Sequence, residues 1–150
     1  MSHTFSNNIF HIIFSAKGRI GLIRPDIKSD LYKYISGIAK NENSQILNIN
    51  GTDNHIHILV KIKPSVSVSD FVCKLKSNSS KWISENFELS YGFQWQGGFS
   101  SFSVSESQIV IVSRYIDGQE GHHRKFSFEK ELEDFLRKNK IAFEEGHFLD

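Results

Sequence analysis

The sequence predicts an α+β fold: a βαββαβ succession built on an antiparallel sheet, with further helix beyond it. Three observations carry this expectation. Short runs rich in Ile, Val and Phe alternate with longer segments whose apolar residues recur at helical spacing. The two central runs are separated by Gly51-Thr52-Asp53-Asn54, which is turn chemistry. Pro25 and Ser67 each stand at the head of a helical pattern, where a fixed φ or a capping hydroxyl is favoured.

Each element follows in chain order. Residues 8–15 are rich in Ile and Phe and read as a first strand, ended by the turn-prone Lys17-Gly18-Arg19. After Pro25, the residues Leu31, Tyr34, Ile35, Ile38 and Ala39 share one helical face. Residues 44–50 and 55–62 read as the strands of a hairpin. Ser67, with Asp70 three residues on, opens a second helix carrying Phe71, Val72, Leu75, Trp82 and Ile83. Residues 93–104 alternate enough for a last strand or a short hairpin, bent at Gly97-Gly98. This order is the split-βαβ, ferredoxin-like or RRM-like arrangement, with helices on one face of the sheet and the other face free to bind. Ser105 and Gln108 resemble a capping box that begins a helix over residues 109–119. Phe128, Leu132, Phe135 and Leu136, after Ser127, mark a final amphipathic helix with ordinary packing.

Composition bounds the answer. The chain has 150 residues, 39% of them hydrophobic and 23% charged, enough for one well-filled core, so residues 1–150 are expected to form a single domain. A lone Cys73 excludes an intrachain disulfide and fits a reducing cytoplasm. The start lacks a basic segment followed by an apolar one, and no apolar run reaches membrane-spanning length, so neither export nor a membrane is expected. Net charge is only +1, against indiscriminate nucleic-acid binding, yet it is unevenly spread. Residues 129–150 hold seven acids and four bases, leaving +4 on the rest. Basic clusters at Lys17, Arg19 and Arg24, at Lys74, Lys76 and Lys81, and at Arg114, Arg124 and Lys125 can track a phosphate backbone or be solvated faces.

Two short motifs carry chemistry. In His55-Ile56-His57 a strand puts both imidazoles on one face, while Ile56, Ile58 and Val60 face the helices. Two such ligands need only a third to hold a divalent ion with open positions; the plain alternative is a pair of half-exposed surface residues. Tyr115 and Gln119, four apart, share one helical face. Tyrosine can be a covalent nucleophile and the Gln carbonyl can ligate a hard cation. Alternatively Tyr115 is a core-edge aromatic and Gln119 a solvated polar residue. The stripe Ile109, Val112, Ile116 is broadened by Val110 and Ile111 beyond one-sided burial, which makes a partner surface plausible.

Together, a strand His-hydrophobic-His and a helical Tyr-x-x-x-Gln resemble the single-tyrosine HUH transposases of the smallest bacterial insertion sequences and their relatives, the REP-associated tyrosine transposases. The resemblance extends through residues 11–17, 53–60 and 74–80, Trp95-Gln96-Gly97-Gly98-Phe99, and residues 115–123. It implies His55, His57 and Gln119 as ligands of Mg²⁺ or Mn²⁺ and Tyr115 as the nucleophile. It further implies cleavage and rejoining of single-stranded DNA, with hairpin ends, through a covalent 5′-phosphotyrosine in a bacterial cytoplasm. A homodimer with shared active sites is also implied. Beside this, His122-His123-Arg124-Lys125 could ligate metal or contact phosphate and reads as a DNA contact or structural segment, because the His pair plus Gln already makes a three-ligand set. His11 reads as a structural residue, and Trp95 and Phe99 as base-stacking or core-closing aromatics. Tyr91 is the nearest other tyrosine to Tyr115. Competing functions are a non-catalytic RRM-like nucleic-acid-binding module and a metal-dependent nuclease that activates water.

Overall fold

A computed structural model describes residues 2–89, 92–145 and 148. Strand β1 (Ile9–Ser15) leads through a single 3-10 turn at Lys17–Arg19 to helix α1 (Pro25–Asn41), whose Pro sits in the first turn. Hairpin strands β2 (Gln45–Gly51) and β3 (His55–Lys61) follow. Helix α2 (Val68–Asn86) starts where the Ser67 hydroxyl accepts the Asp70 amide at 3.0 Å. Strand β4 (Ser100–Ser103) completes an antiparallel sheet of order β2-β3-β1-β4. This is the ferredoxin-like α+β architecture that the element order predicts.

Alternation along the strands builds the main core. Ile12 and Phe14 of β1 and Ile56, Ile58 and Val60 of β3 meet Ile27, Leu31 and Ile35 of α1 and Phe71, Leu75 and Ile83 of α2. The second face is not left free, contrary to expectation. Helices α3 (Ile109–Asp117), α4 (Gln119–His123) and α5 (Phe128–Lys138) follow β4, and α3 and α5 pack on that face. Ile13 and Phe102 pack on Phe128, Leu132 and Leu136 of α5, and Ile9 and Leu59 on Ile116 of α3. The reason is chemical: that face carries Ile9, Ile13, Leu59 and Phe102 around its histidines, so water would meet apolar surface there. The exposed aromatic sheet face of an RRM-like binder is therefore absent among the described residues.

Three local expectations change. Of residues 93–104 only Ser100–Ser103 is strand; Trp95 makes an isolated bridge to Ala16, and the Lys76 ammonium bonds the carbonyls of Gln96 and Gly98. Trp95 is buried against Phe14 and Phe93 with its indole N–H donating to Ser79, a core plug rather than a base-stacking platform, and Phe99 packs partly buried on the same core. Ser105 makes no side-chain cap: its hydroxyl faces Ser107, and a 3-10 turn at Glu106–Gln108 leads into α3. The helix expected over 109–119 stops at Asp117, because Gly118 (φ −87°, ψ 14°) leaves the helical path before α4 begins. No helix among the described residues is long and apolar enough to cross a membrane.

Candidate metal and nucleophile site

The β2-β3 hairpin sets the first imidazole. A Cβ on Gly51 would lie 2.1 Å from the His55 carbonyl oxygen, so the strands can close this tightly only with glycine there. His55 and His57 then project from β3 and are fully buried. The Nδ1 of His55 lies 2.8 Å from the Asn54 side-chain oxygen and 2.9 Å from the Thr52 hydroxyl. An amide oxygen only accepts, so Nδ1 carries the proton and Nε2 turns a lone pair into the site. His57 Nδ1 is 2.7 Å from His11 Nε2 on the neighbouring strand β1, which orients that ring. His11 is thus structural, as expected, and acts through His57.

The other groups arrive from the C-terminal helices. Gln119, at the start of α4, places its Oε1 3.1 Å from His55 Nε2, while its amide N–H donates to Glu131 at 3.2 Å. His123 donates from Nδ1 to the Phe126 carbonyl at 2.8 Å, and its Nε2 stands 3.1 Å from Gln119 Oε1 and 3.2 Å from Glu131 Oε1. Glu131 of α5 sets Oε1 2.8 Å from His57 Nε2 and 3.6 Å from His55 Nε2. Tyr115, half-buried on α3, donates its hydroxyl to Glu131 Oε2, and His122 Nε2 lies 3.5 Å away.

Three of these atoms, His55 Nε2, Gln119 Oε1 and Glu131 Oε1, point lone pairs at one another with no hydrogen between them, and so does His123 Nε2 when its ring is neutral. Such a convergence is repulsive unless a cation lies within it. The ligand atoms of His55, His57, His123 and Glu131 lie within 4.8 Å of one another. Octahedral bonds of about 2.1 Å set neighbouring ligands about 3 Å apart and opposite ones about 4.2 Å apart. The donor set therefore fits a divalent ion.

Burial dominates the electrostatics. It pushes the His11 and His55 pKa values down to about 3, helped by the neighbouring His57, and lowers that of His57 against the pull of Glu131. Burial opposes ionisation of Glu131, yet hydrogen bonds from His123, His57 and Tyr115 outweigh it and hold the carboxyl well below its usual range. Tyr115 is raised, first by burial and then by its bond to the Glu131 carboxylate. A pH dependence of the ion-free fold follows. Unfolded histidines protonate near 6.5, whereas folded His11 and His55 resist until about 3, so the unfolded state gains protons as pH falls through that window. Each can cost up to about 1.4 kcal/mol per pH unit. Urea midpoints measured with chelator present should drop steadily from pH 7 to pH 5; equal midpoints would contradict these shifts.

The structure brings His55, His57, Tyr115 and Gln119 together, the grouping that the family resemblance implies. His123 faces the site, the placement that the metal-ligand alternative for residues 122–125 requires, and Glu131 joins it from α5. The signal for Glu131 was present: it lies between Phe128 and Phe135 at spacings of three and four, an acid on an otherwise apolar helical face. Tyr91 lies outside the described residues. Several clustered bases are paired, Arg19 with Glu129 at 2.8 Å, Arg24 with Asp26 at 3.1 Å and Lys74 with Glu42 at 2.9 Å. A cavity of about 260 Å³ opens beside Tyr115, lined by His11, His122, Glu131 and Phe135.

A ferredoxin-like sheet presenting a buried His pair beside a tyrosine defines a class of metal-compatible site with a phenol hydroxyl at its rim. The IS200-like transposase family matches residues 4–119, and this chain belongs to that family. The chain is 31% identical over 116 residues to the transposase for insertion sequence element IS200 of Salmonella typhimurium, covering 74% of this chain and 76% of that one. It is 23% identical over 115 residues to the ISDra2 transposase TnpA of Deinococcus radiodurans, covering 73% and 82%. In fold it is similar to a REP-associated tyrosine transposase solved bound to a REP hairpin, with TM-score 0.63, 12% identity and coverage of 82% and 72%. Its function is that of a transposase, an enzyme acting on DNA.

Proposed function

We propose that this transposase cleaves and rejoins single-stranded DNA through a covalent 5′-phosphotyrosine on Tyr115. The observation that carries the reading is the Tyr115 hydroxyl held by Glu131 at the edge of the cluster of ring nitrogens and the amide oxygen of His55, His57 and Gln119. Those residues would hold Mg²⁺ or Mn²⁺, which supplies positive charge against the scissile phosphate. Tyr115 Oη forms the bond to phosphorus and the phosphorus–O3′ bond breaks. The phenol proton leaves to a base or water, and the departing oxygen ends as a 3′-hydroxyl. Attack by another 3′-hydroxyl reverses the exchange and frees Tyr115, so no nucleotide cofactor is consumed. Thr52 and Asn54 orient the His55 ring and His11 orients that of His57. The hairpin-bound fold relative supports DNA with hairpin ends as the substrate. Incubating the chain with single-stranded hairpin oligonucleotides and Mn²⁺ should give a covalent protein-DNA band on a denaturing gel. Cutting without that band would favour a water-activating nuclease.

Tyr115 bonds to Glu131 of its own chain, which supports a site assembled in cis. A second reading, a homodimer with shared sites, is favoured by Val110 and Ile111, each 59% exposed on the tyrosine helix. Mixing Tyr115→Phe chains with His55→Ala/His57→Ala chains separates the two. The cis arrangement predicts no cleavage from the mixture. Recovered cleavage would mean that α3 serves the partner subunit.

A further inference from the structure

We infer that Glu131 is a further ligand of the same ion, a carboxylate supplied by α5 from beyond the part of the chain that matches the family. The inference rests on the metal reading of His55 and His57. The family match ends at residue 119, whereas Glu131 lies on a separate helix that crosses the second face of the sheet. Its side chain is only 1% exposed, and the groups that pair with it are His55, His57, His122 and His123.

Geometry assigns the two oxygens different work. Oε1 lies 2.8 Å from His57 Nε2, 3.6 Å from His55 Nε2 and 3.2 Å from His123 Nε2, spacings that suit ligands adjacent around one ion. Oε2 accepts from the Tyr115 hydroxyl and from the Gln119 amide at 3.2 Å. One carboxylate thus spans the ligand point and the nucleophile, and an ion bound through it ties α5 to the sheet. An oxygen donor beside imidazole also shifts preference toward harder ions such as Mn²⁺.

The test is calorimetric titration of the full chain with MnCl₂ alone, for the unaltered protein, Glu131→Ala, Glu131→Gln and His55→Ala/His57→Ala. The expected result is a loss of about 100-fold or more in Mn²⁺ affinity for Glu131→Ala, beyond the 10–100-fold typical of an outer partner of a ligand. Where Glu131→Ala fails to fold, Glu131→Gln keeps the shape and a hydrogen-bond acceptor. The visible spectrum of its Co²⁺ form should then shift from that of the unaltered protein. Affinity within 10-fold of the unaltered protein, tighter binding, or an unchanged Co²⁺ spectrum would overturn the assignment. If His55→Ala/His57→Ala loses Mn²⁺ while the Glu131 variants keep it, this inference fails and the proposed function stands. If the unaltered chain binds no Mn²⁺, both fail.

Discussion

Tyr115→Phe is expected to fold, to retain DNA binding and to form no covalent adduct. The substitution removes one oxygen from a half-buried ring that keeps its contacts with His57 and Phe135. What it loses structurally is a hydrogen bond to a carboxylate, worth about 1.5–3 kcal/mol, and a long contact to His122 at 3.5 Å. What it loses chemically is the atom that would bond to phosphorus. Removal of a covalent nucleophile costs on the order of 10⁶ in rate in a well-measured hydrolase, which on a denaturing gel is complete absence of the band. Strand cutting that persists without adduct would assign the cleavage to water. An adduct that persists would move the nucleophile to another side chain.

His57→Ala should abolish divalent-ion binding and cost more stability than His55→Ala. Both remove a β3 imidazole from the converging set, so Mn²⁺ titrations of either should show a loss of about 100-fold or more, beyond that of an outer partner. Their structural costs differ because their partners differ. His57 lies between His11 and Glu131, both buried, so its loss strands the His11 ring nitrogen away from water and takes one donor from the Glu131 carboxylate. Each unsatisfied buried group costs about 1–3 kcal/mol, and more when charged. His55 leans on Thr52 and Asn54 in the hairpin turn, where those groups keep a bond to each other. Urea unfolding with chelator present should rank the variants in that order. Equal losses would mean that His11 and Glu131 find other partners once His57 is gone.

Local pattern was enough for most of the frame. The Ile- and Phe-rich run of β1, the hairpin turn at Gly51-Thr52-Asp53-Asn54 and the Ser67 cap are short-range signals, and each appears within a residue or two of its expected place. Where competing local partners exist, pattern failed. Ser105 has a neighbouring hydroxyl to bond, Gly118 breaks a helix whose apolar spacing runs on, and the Lys76 ammonium claims carbonyls that a longer β4 would have used.

The candidate site divides along the same line. His55 and His57 share one strand face as a consequence of backbone period, so the sequence by itself determined that pair, whereas Tyr115 and Gln119 end on separate helices because Gly118 breaks the one expected. That these pairs share a site with Glu131 and His123 depends on which sheet face α3 to α5 cover. The cover is imposed by apolar side chains scattered from Ile9 to Leu136, and no local period records it. Tertiary structure alone decided that an acid on the last helix, 74 residues from His57, would sit 2.8 Å from it. Burial of the apolar residues flanking Glu131 carries its carboxylate into the interior, and only polar partners or an ion waiting there make that tolerable.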